Sequence, residues 1–134
     1  MAEERMLLVD DDADIRTIAK MTLEVLGGWQ VQCACSGTEA LRVAQQTTPD
    51  VIVLDVMMPG MDGPDTARQL RQLPGLSAVP IIFMTAKAQK HEIQRLLAVG
   101  ARAVITKPFD PVALPQTIRD ALHAPPRMEL DCTL

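Results

Sequence analysis

The feature that most limits the possible folds of this chain is a short apolar run that ends in an acidic residue. Positions 51–54 read Val-Ile-Val-Leu, Asp55 follows directly, and Pro59 and Gly60 supply a turn signal shortly afterwards. An apolar run of this length between turn signals is typical of a central strand of a parallel sheet, buried on both faces. Ligands bind at the carboxyl ends of the strands in open α/β sheets. The sequence therefore puts Asp55 at the edge where a ligand would bind.

Four further apolar runs alternate with five helical patterns along the chain. The predicted strands cover residues 6–9, 29–35, 51–54, 79–84 and 101–105. The predicted helices cover about 15–26, 38–46, 62–72, 93–97 and 112–123. Five β-α units with short crossovers require parallel strands and right-handed connections. We therefore expect a doubly wound α/β fold with one five-stranded parallel sheet and helices on both faces. The strand order 2-1-3-4-5 is expected by analogy with flavodoxin-like folds.

Local patterns predict how several of the helices begin and pack. Ser36 or Thr38 can cap the second helix, and Asp62 can cap the third. The last helix contains Pro115, which would remove a backbone hydrogen bond from a helix interior. Either its first turn is irregular or the helix begins at Pro115. The first helix ends at Gly27 and has a predicted apolar face. That face consists of Ile15, Ile18, Ala19, Thr22, Val25 and Leu26.

Length and composition indicate a single folded domain. The 134 residues suffice for one ordinary domain, predicted at 1–123, with a polar tail at 124–134. Apolar residues make up 48% of the chain, which argues against disorder. The net charge of -4 gives no reason to expect nucleic acid or an acidic surface as a direct partner.

The cysteines and the apolar stretches bear on where the protein works. Cys33 and Cys35 would lie on the same face of a strand, where they cannot comfortably bridge each other. We interpret them as small hydrophobic residues in a reducing cytosol rather than a metal or redox pair. The start of the chain does not resemble a signal peptide, and the apolar stretch at 81–86 is too short to span a bilayer. A cytoplasmic protein without a membrane partner is expected.

Polar side chains collect at the predicted carboxyl ends of the strands. The first strand is followed by an acidic run, Asp10, Asp11 and Asp12, and the third strand by Asp55. The fourth strand is followed by the hydroxyl of Thr85 and the fifth by the amine of Lys107. Carboxylates sharing one cleft repel each other unless a cation joins them, and their hard oxygens suit Mg²⁺. The sequence therefore predicts a magnesium site at this edge.

These residue types are the parts needed to transfer a phosphoryl group onto a carboxylate. An Asp can act as the nucleophile and form an acyl phosphate, while a metal and a Lys neutralise the charge on the phosphoryl oxygens. In this interpretation Asp55 attacks, Asp11 with Asp10 holds Mg²⁺, and Thr85 and Lys107 bind the incoming group. Each residue alone has an ordinary explanation as a helix entry, a strand-end hydroxyl or a surface charge. Their convergence on one edge favours the functional interpretation.

Four motifs together resemble the receiver domain of two-component response regulators over about residues 5–123. They are Leu7-Leu8-Val9-Asp10-Asp11, Asp55 with Met58-Pro59-Gly60-Met61-Asp62-Gly63, Thr85-Ala86 and Lys107-Pro108-Phe109. The resemblance implies that Asp55 accepts phosphate from a histidine kinase or a phosphotransfer protein. It implies a signalling protein rather than an enzyme, one that catalyses only its own phosphorylation and dephosphorylation.

The resemblance also implies a ligand set and an output. Mg²⁺ would be held by Asp11, Asp55 and the backbone carbonyl of Met57, with Asp10 in support. Thr85 and Lys107 would sense the phosphoryl group, and the peptide bond between Lys107 and Pro108 would be cis. Phosphorylation would remodel a face built on helix 4, strand 5 and helix 5 for a downstream protein target. The expected state is a monomer or a weak phosphorylation-dependent dimer.

Three departures from the family pattern concern four positions. Val104 stands where relatives often carry an aromatic residue that swings inward, so a rotating aromatic switch is not expected here. Met57 and Lys87 stand two residues after Asp55 and Thr85, at positions that tune the lifetime of the phosphate in relatives. Since Met57 cannot orient a hydrolytic water, we predict slow self-dephosphorylation. Pro115 disturbs the start of helix 5, on the expected partner surface.

Other functions share parts of this pattern. A flavodoxin would need a hydroxyl-rich phosphate loop and aromatic residues around the flavin, but this chain has an acidic loop and no Tyr. A Mg²⁺-dependent hydrolase that forms an aspartyl phosphate would need a second acid where Met57 stands. A receiver that acts as an unphosphorylated scaffold would not need the complete set of residues found here. Finally, the chain can be a stand-alone receiver or part of a larger regulator with an output domain.

Overall fold

Five strands alternate with five helices in the computed structural model, which describes residues 4–87 and 89–123. The strands are β1 (Arg5–Val9), β2 (Gln30–Ala34), β3 (Val51–Asp55), β4 (Ile81–Thr85) and β5 (Ala103–Thr106). The helices are α1 (Ala13–Val25), α2 (Gly37–Gln46), α3 (Gly63–Gln72), α4 (Lys90–Ala98) and α5 (Leu114–His123). The predicted tail at 124–134 lies outside the described residues.

The strands form one parallel sheet in the order β2-β1-β3-β4-β5, which confirms the predicted fold and strand order. Val9 pairs with Leu54 across β1 and β3, so the residues that follow them, Asp10 and Asp55, lie side by side. Asp55 in turn pairs with Met84, next to Thr85. The register therefore brings the ends of β1, β3 and β4 to one level at the carboxyl edge of the sheet.

The core lies on both faces of the sheet. Every residue of β3 and β4 is buried, as expected for central strands covered on both sides. One cluster includes Leu54, Phe83 and Leu96 and packs under α2, α3 and α4. The other includes Met84 and Ile118 and packs under α1 and α5. This two-sided burial fixes the central strands and thereby the position of their polar ends.

The predicted helix caps are present. Ser36 Oγ accepts a hydrogen bond of 3.1 Å from the backbone N–H of Glu39, and Asp62 Oδ1 accepts one of 2.9 Å from Asp65. Pro64 lies in the first turn of α3, where its missing N–H removes no helical bond. These caps fix where α2 and α3 begin, close to the polar edge.

The predicted apolar face of α1 is wrong in part. Ile18, Val25 and Leu26 are 45%, 76% and 60% exposed, whereas Ala19 and Leu23 are fully buried. Ala19 was predicted to be buried and is, whereas Leu23 is buried without having been predicted and the exposed residues lie along one flank. A helical period gives the width of an apolar stripe, but the fit against the sheet decides which side of the stripe is buried.

The last helix begins at Leu114, two residues later than predicted. The backbone N–H of Leu114 bonds to the carbonyl of Asp110 at 3.0 Å, so a preceding turn leads into the helix. Pro115 therefore lies in the first helical turn, where proline is tolerated. Within the described residues, no helix has the length and apolar character needed to cross a membrane.

Candidate functional site

The carboxyl edge of the sheet brings together polar residues from four strand ends. Asp10 follows β1, Asp55 ends β3, Thr85 ends β4 and Lys107 follows β5. The backbone N–H of Lys107 donates to the carbonyl of Thr85 at 2.8 Å, which ties the last of these ends to its neighbour. We call this group of residues, together with Asp11, the acidic rim.

Three carboxylates of the acidic rim lie close enough to share one cation. Asp10, Asp11 and Asp55 each offer an oxygen, and these oxygens all lie within 4.8 Å of one another. Asp10 and Asp55 are buried, whereas Asp11 is exposed. An all-oxygen donor set that opens to solvent on one side fits Mg²⁺, which keeps several water ligands. The residues present therefore fit a magnesium ion.

Lys107 supplies the positive charge in the absence of a cation. Its ammonium lies 2.8 Å from Asp10 Oδ2 and 3.1 Å from Asp55 Oδ1. Burial lowers the pKa of Lys107, but the hydrogen bond to Asp10 and the adjacent carboxylates outweigh it, so the pKa lies above its ordinary value. The amine is therefore charged over the physiological pH range.

The same surroundings favour the charged form of Lys107 but disfavour the charged form of Asp55. Burial, followed by the charge of Asp10, raises the pKa of Asp55 to about 6, although Lys107 works against this shift. Near neutral pH the carboxylate is thus ionised for most of the time. The negative charge of Asp10 nevertheless destabilises this carboxylate, so a cation bound nearby would stabilise it. A pKa perturbed by burial and a neighbouring charge is typical of a functional site.

Asp10 is held by hydrogen bonds at every polar group. Its carboxylate accepts from the backbone N–H of Asp12 at 2.9 Å and from Lys107. Its backbone N–H donates to Ala34 at 3.1 Å, and its carbonyl accepts from Arg16 at 2.7 Å. Because both carboxylate oxygens of Asp10 are already engaged, it supports the other acids more readily than it serves as an independent ligand.

The remaining member of the acidic run has a structural role. Asp12 is the N-cap of α1, and its side chain accepts from the backbone N–H groups of Asp14 and Ile15 at 2.9 and 3.3 Å. Sequence reasoning did not single out Arg16, which contacts the rim from the next turn of this helix. The signal for it was an arginine in the helix directly after an acidic run.

The side chains of Thr85 and Met57 differ in exposure. Thr85 is buried, and its hydroxyl accepts a 3.1 Å hydrogen bond from the backbone N–H of Lys87, which leaves the hydroxyl proton for another acceptor. Met57, two residues after Asp55, has an exposed side chain.

The loop between β3 and α3 is folded tightly behind Asp55. The N–H of Gly63 donates to the carbonyl of Val56 at 2.9 Å. A Cβ atom at Gly63 would lie 2.4 Å from the backbone oxygen of Asp55, so only glycine fits there without movement. The peptide bond between Lys107 and Pro108 is cis, as predicted. Val104 is buried in the core.

One protein family matches most of this chain. The response regulator receiver domain model matches residues 6–119. The probable transcriptional regulator ycf27 of Porphyridium aerugineum is 38% identical over 123 residues, which are 92% of this chain and 50% of that protein. The alkaline phosphatase synthesis transcriptional regulatory protein PhoP of Bacillus subtilis (strain 168) is 41% identical over 108 residues, 81% of this chain and 44% of that protein.

A solved structure gives the same result over almost its whole length. The chemotaxis protein CheY4 of Vibrio cholerae has a TM-score of 0.84 and 35% sequence identity, covering 90% of this chain and 99% of that one. The chain spans about half the length of the curated relatives it matches. The sequence motifs, the strand order and these matches agree, and the chain belongs to the response regulator receiver domain family, whose role is phosphorelay signalling.

Proposed function

We propose that this receiver accepts a phosphoryl group on Asp55 from a phosphohistidine in a reaction that requires Mg²⁺. The observation that carries the proposal is the position of Asp55, 3.1 Å from the Lys107 ammonium and in reach of a cation shared with Asp10 and Asp11. A carboxylate oxygen of Asp55 would attack phosphorus while the bond from phosphorus to the imidazole nitrogen breaks. The products are an acyl phosphate on Asp55 and a free histidine on the donor.

Each residue of the rim has a task in this reaction. When bound, Mg²⁺ neutralises charge on the phosphoryl oxygens; Asp11, Asp55 and the Met57 carbonyl would hold it, with Asp10 in support. Lys107 can turn from the Asp55 carboxylate to a phosphoryl oxygen, because the transfer uses up the carboxylate charge it now pairs with. Thr85 can donate its hydroxyl proton to the same group.

The phosphodonor would be a histidine kinase or a phosphotransfer protein. An open apolar groove of about 380 Å³ adjoins Lys107, and Ile15, Ile18, Pro108 and Phe109 line it. A donor that presents its histidine to Asp55 must cover the rim, and this groove offers apolar area directly beside it. We therefore propose that the donor docks on the N-terminal half of α1 and on the loop between β5 and α5.

The output is proposed to be a face built on α4, β5 and α5 that binds a downstream protein after phosphorylation. Since Val104 replaces the usual aromatic residue, the response would depend on Thr85 and the loop after β4 rather than on ring rotation. A monomer or weak phosphorylation-dependent dimer in the cytoplasm belongs to the same proposal. Any direct contact with nucleic acid would come from an output domain, such as a transcriptional regulator carries.

The test is incubation with acetyl phosphate and Mg²⁺, followed by intact mass measurement. We expect the wild-type protein and Asp65→Asn, an exposed control on α3, to gain one phosphoryl group. Asp55→Asn and chelator-treated wild type should gain none. A gain that persists in Asp55→Asn, or its absence in the wild type, would overturn the proposal. Multiple turnovers of p-nitrophenyl phosphate would instead support the hydrolase alternative.

A further inference from the structure

We propose that Arg16 is a positioning residue for the Mg²⁺ site, acting through the backbone of Asp10 on the direction of Asp11. The inference rests on the proposed function, because it concerns the same cation. Arg16 does not touch the acidic carboxylates in the structure: its guanidinium donates to the carbonyl oxygen of Asp10 at 2.7 Å. Any effect on metal binding would therefore be transmitted by the main chain.

Arg16 donates its hydrogen bond to a carbonyl that lies beyond the last pair of residues in β1 and β2. The paired residues of β1 and β2 end at Val9 and Ala34, and one more bond runs from the N–H of Asp10 to the carbonyl of Ala34 at 3.1 Å. The chain then leaves the sheet and enters α2 through its cap at Ser36. The Asp10 carbonyl lies beyond the last residue pair, and Arg16 provides the donor there.

This hydrogen bond matters because Asp10 is completely buried. A buried carbonyl without a partner loses its hydration and gains nothing in return. If Arg16 were removed, the peptide group between Asp10 and Asp11 would have reason to rotate toward another donor or toward water. If the carbonyl turns about the Cα–C bond of Asp10, the Cα atom of Asp11 moves with it, because the peptide group is planar and rigid.

Asp11 is the acid that depends most on this backbone. Within the described part of the chain, its exposed carboxylate has no hydrogen bond or ion pair to hold it. Asp55 is instead held by Lys107 and by its place at the end of β3. The direction of the Asp11 side chain is thus set by the main chain that carries it, and Arg16 is the side chain that holds the carbonyl directly before Asp11.

A positioning role and a simple charge effect predict opposite results. Arg16 is a cation near an acidic site, so its removal would strengthen Mg²⁺ binding if only long-range repulsion mattered. If Arg16 positions Asp11, its removal would weaken Mg²⁺ binding although a positive charge has been lost. Losing a group that orients a ligand typically weakens metal affinity by about tenfold or more.

The experiment is a calorimetric Mg²⁺ titration of the whole protein without a phosphodonor. We expect Arg16→Met to raise the Kd for Mg²⁺ by about tenfold and Arg16→Lys to recover part of the loss. The control Arg42→Met removes an exposed arginine of α2 that pairs with Glu39, and it should leave the Kd unchanged. With acetyl phosphate, the phosphorylation rate of Arg16→Met should return to the wild-type value at saturating Mg²⁺.

Several outcomes would overturn the inference. An unchanged or lower Kd in Arg16→Met would exclude a positioning role, and an equal rise in Arg42→Met would show that the loss is not specific to the Asp10 carbonyl contact. Urea unfolding without Mg²⁺ shows whether each variant is folded; if Arg16→Met is not, a wild-type Kd in Arg16→Lys refutes the need for the guanidinium. A wild type that binds Mg²⁺ but gains no phosphoryl group would overturn the proposed function alone.

Discussion

Lys107 and Asp10, 97 positions apart in the chain, form an ion pair with 2.8 Å between Nζ and Oδ2. The strands that carry them, β5 and β1, are not neighbours in the sheet, since β3 and β4 lie between them. The lysine therefore reaches from the end of β5 to the end of β1, and it also contacts Asp55 at the end of β3. This arrangement determines both the stability of the rim and its response to a cation.

Replacing Lys107 with Met should lower the free energy of unfolding. Two buried carboxylates would lose their partner, which typically costs about 3 kcal/mol. Because Mg²⁺ can supply the missing charge, we expect it to restore part of this loss. Urea unfolding near neutral pH, with and without Mg²⁺, measures both effects. Arg68→Met removes one member of an exposed ion pair and should change stability little; an equal loss in that variant would contradict the explanation.

Replacing Asp55 with Asn should stabilise the metal-free protein near neutral pH. The pKa of Asp55 is raised from 3.8 to about 6 in the folded state, chiefly by burial. The folded protein therefore holds this proton more tightly than the unfolded chain, and stability is lost as the pH rises through this range. After a discount for solvent screening, we expect a gain of about 1–2 kcal/mol in Asp55→Asn.

The pH dependence of that gain provides its control. Below about pH 4 the carboxyl group is protonated in both states, so wild type and Asp55→Asn should unfold at similar urea concentrations. The measurement is urea unfolding in chelator at several pH values between these limits. A stabilisation that persists unchanged in acid would show that the effect comes from packing rather than from charge.

Replacing Met57 with Asn should shorten the lifetime of the acyl phosphate. The exposed Met57 side chain, two residues after Asp55, cannot hold a hydrolytic water. An amide at this position can, and we expect hydrolysis to accelerate by about tenfold. The measurement is the decay of phosphorylated protein by intact mass after the donor is removed. Met57→Leu, which stays apolar, should decay like the wild type; equal decay in Met57→Asn would refute the prediction.

Replacing Gly63 with Ala should destabilise the fold and displace Asp55. The added methyl group would lie 2.4 Å from the Asp55 backbone oxygen and 2.8 Å from the Cα atom of Val56. Relief of this overlap requires the loop to move, at a cost of about 2 kcal/mol. Thermal unfolding measures the loss, and Asp65→Ala on the exposed side of the same helix is the control. A Gly63→Ala protein as stable as the wild type would show that the loop adapts freely.

Replacing Ile18 with Asp should impair transfer from a protein donor but not from a small one. Ile18 is 45% exposed, so the change costs little stability, yet it puts a charge into the proposed docking groove. The measurements are transfer of label from a phosphorylated histidine kinase and mass gain with acetyl phosphate. Val25→Asp, on the same helix but outside the groove, should affect neither. Equal slowing with both donors would place the defect at Asp55 instead.

The sequence by itself determined the elements and their order. Short apolar runs such as that before Asp55, separated by helical periods, require parallel strands with crossovers, and burial on both faces follows from their continuous apolar character. Ser36 and Asp62 predicted the starts of their helices because a cap acts on amide groups within three residues. The convergence of Asp10, Asp55, Thr85 and Lys107 on one edge follows from the same local rules, since the ends of parallel strands meet there.

Tertiary structure alone decided which groups contact one another at that edge. Helical periodicity predicted Ala19 on the buried face, but it could not tell that Leu23, rather than Ile18 and Val25, faces the sheet, because the rotation of α1 depends on the surface beneath it. Nor could it assign Arg16 to the Asp10 carbonyl, since that carbonyl needs a donor only because it lies beyond the last paired residues of β1 and β2. Residue spacing predicts contacts within one helix, strand or turn. Contacts between side chains far apart in the chain depend on how the folded sheet brings them together.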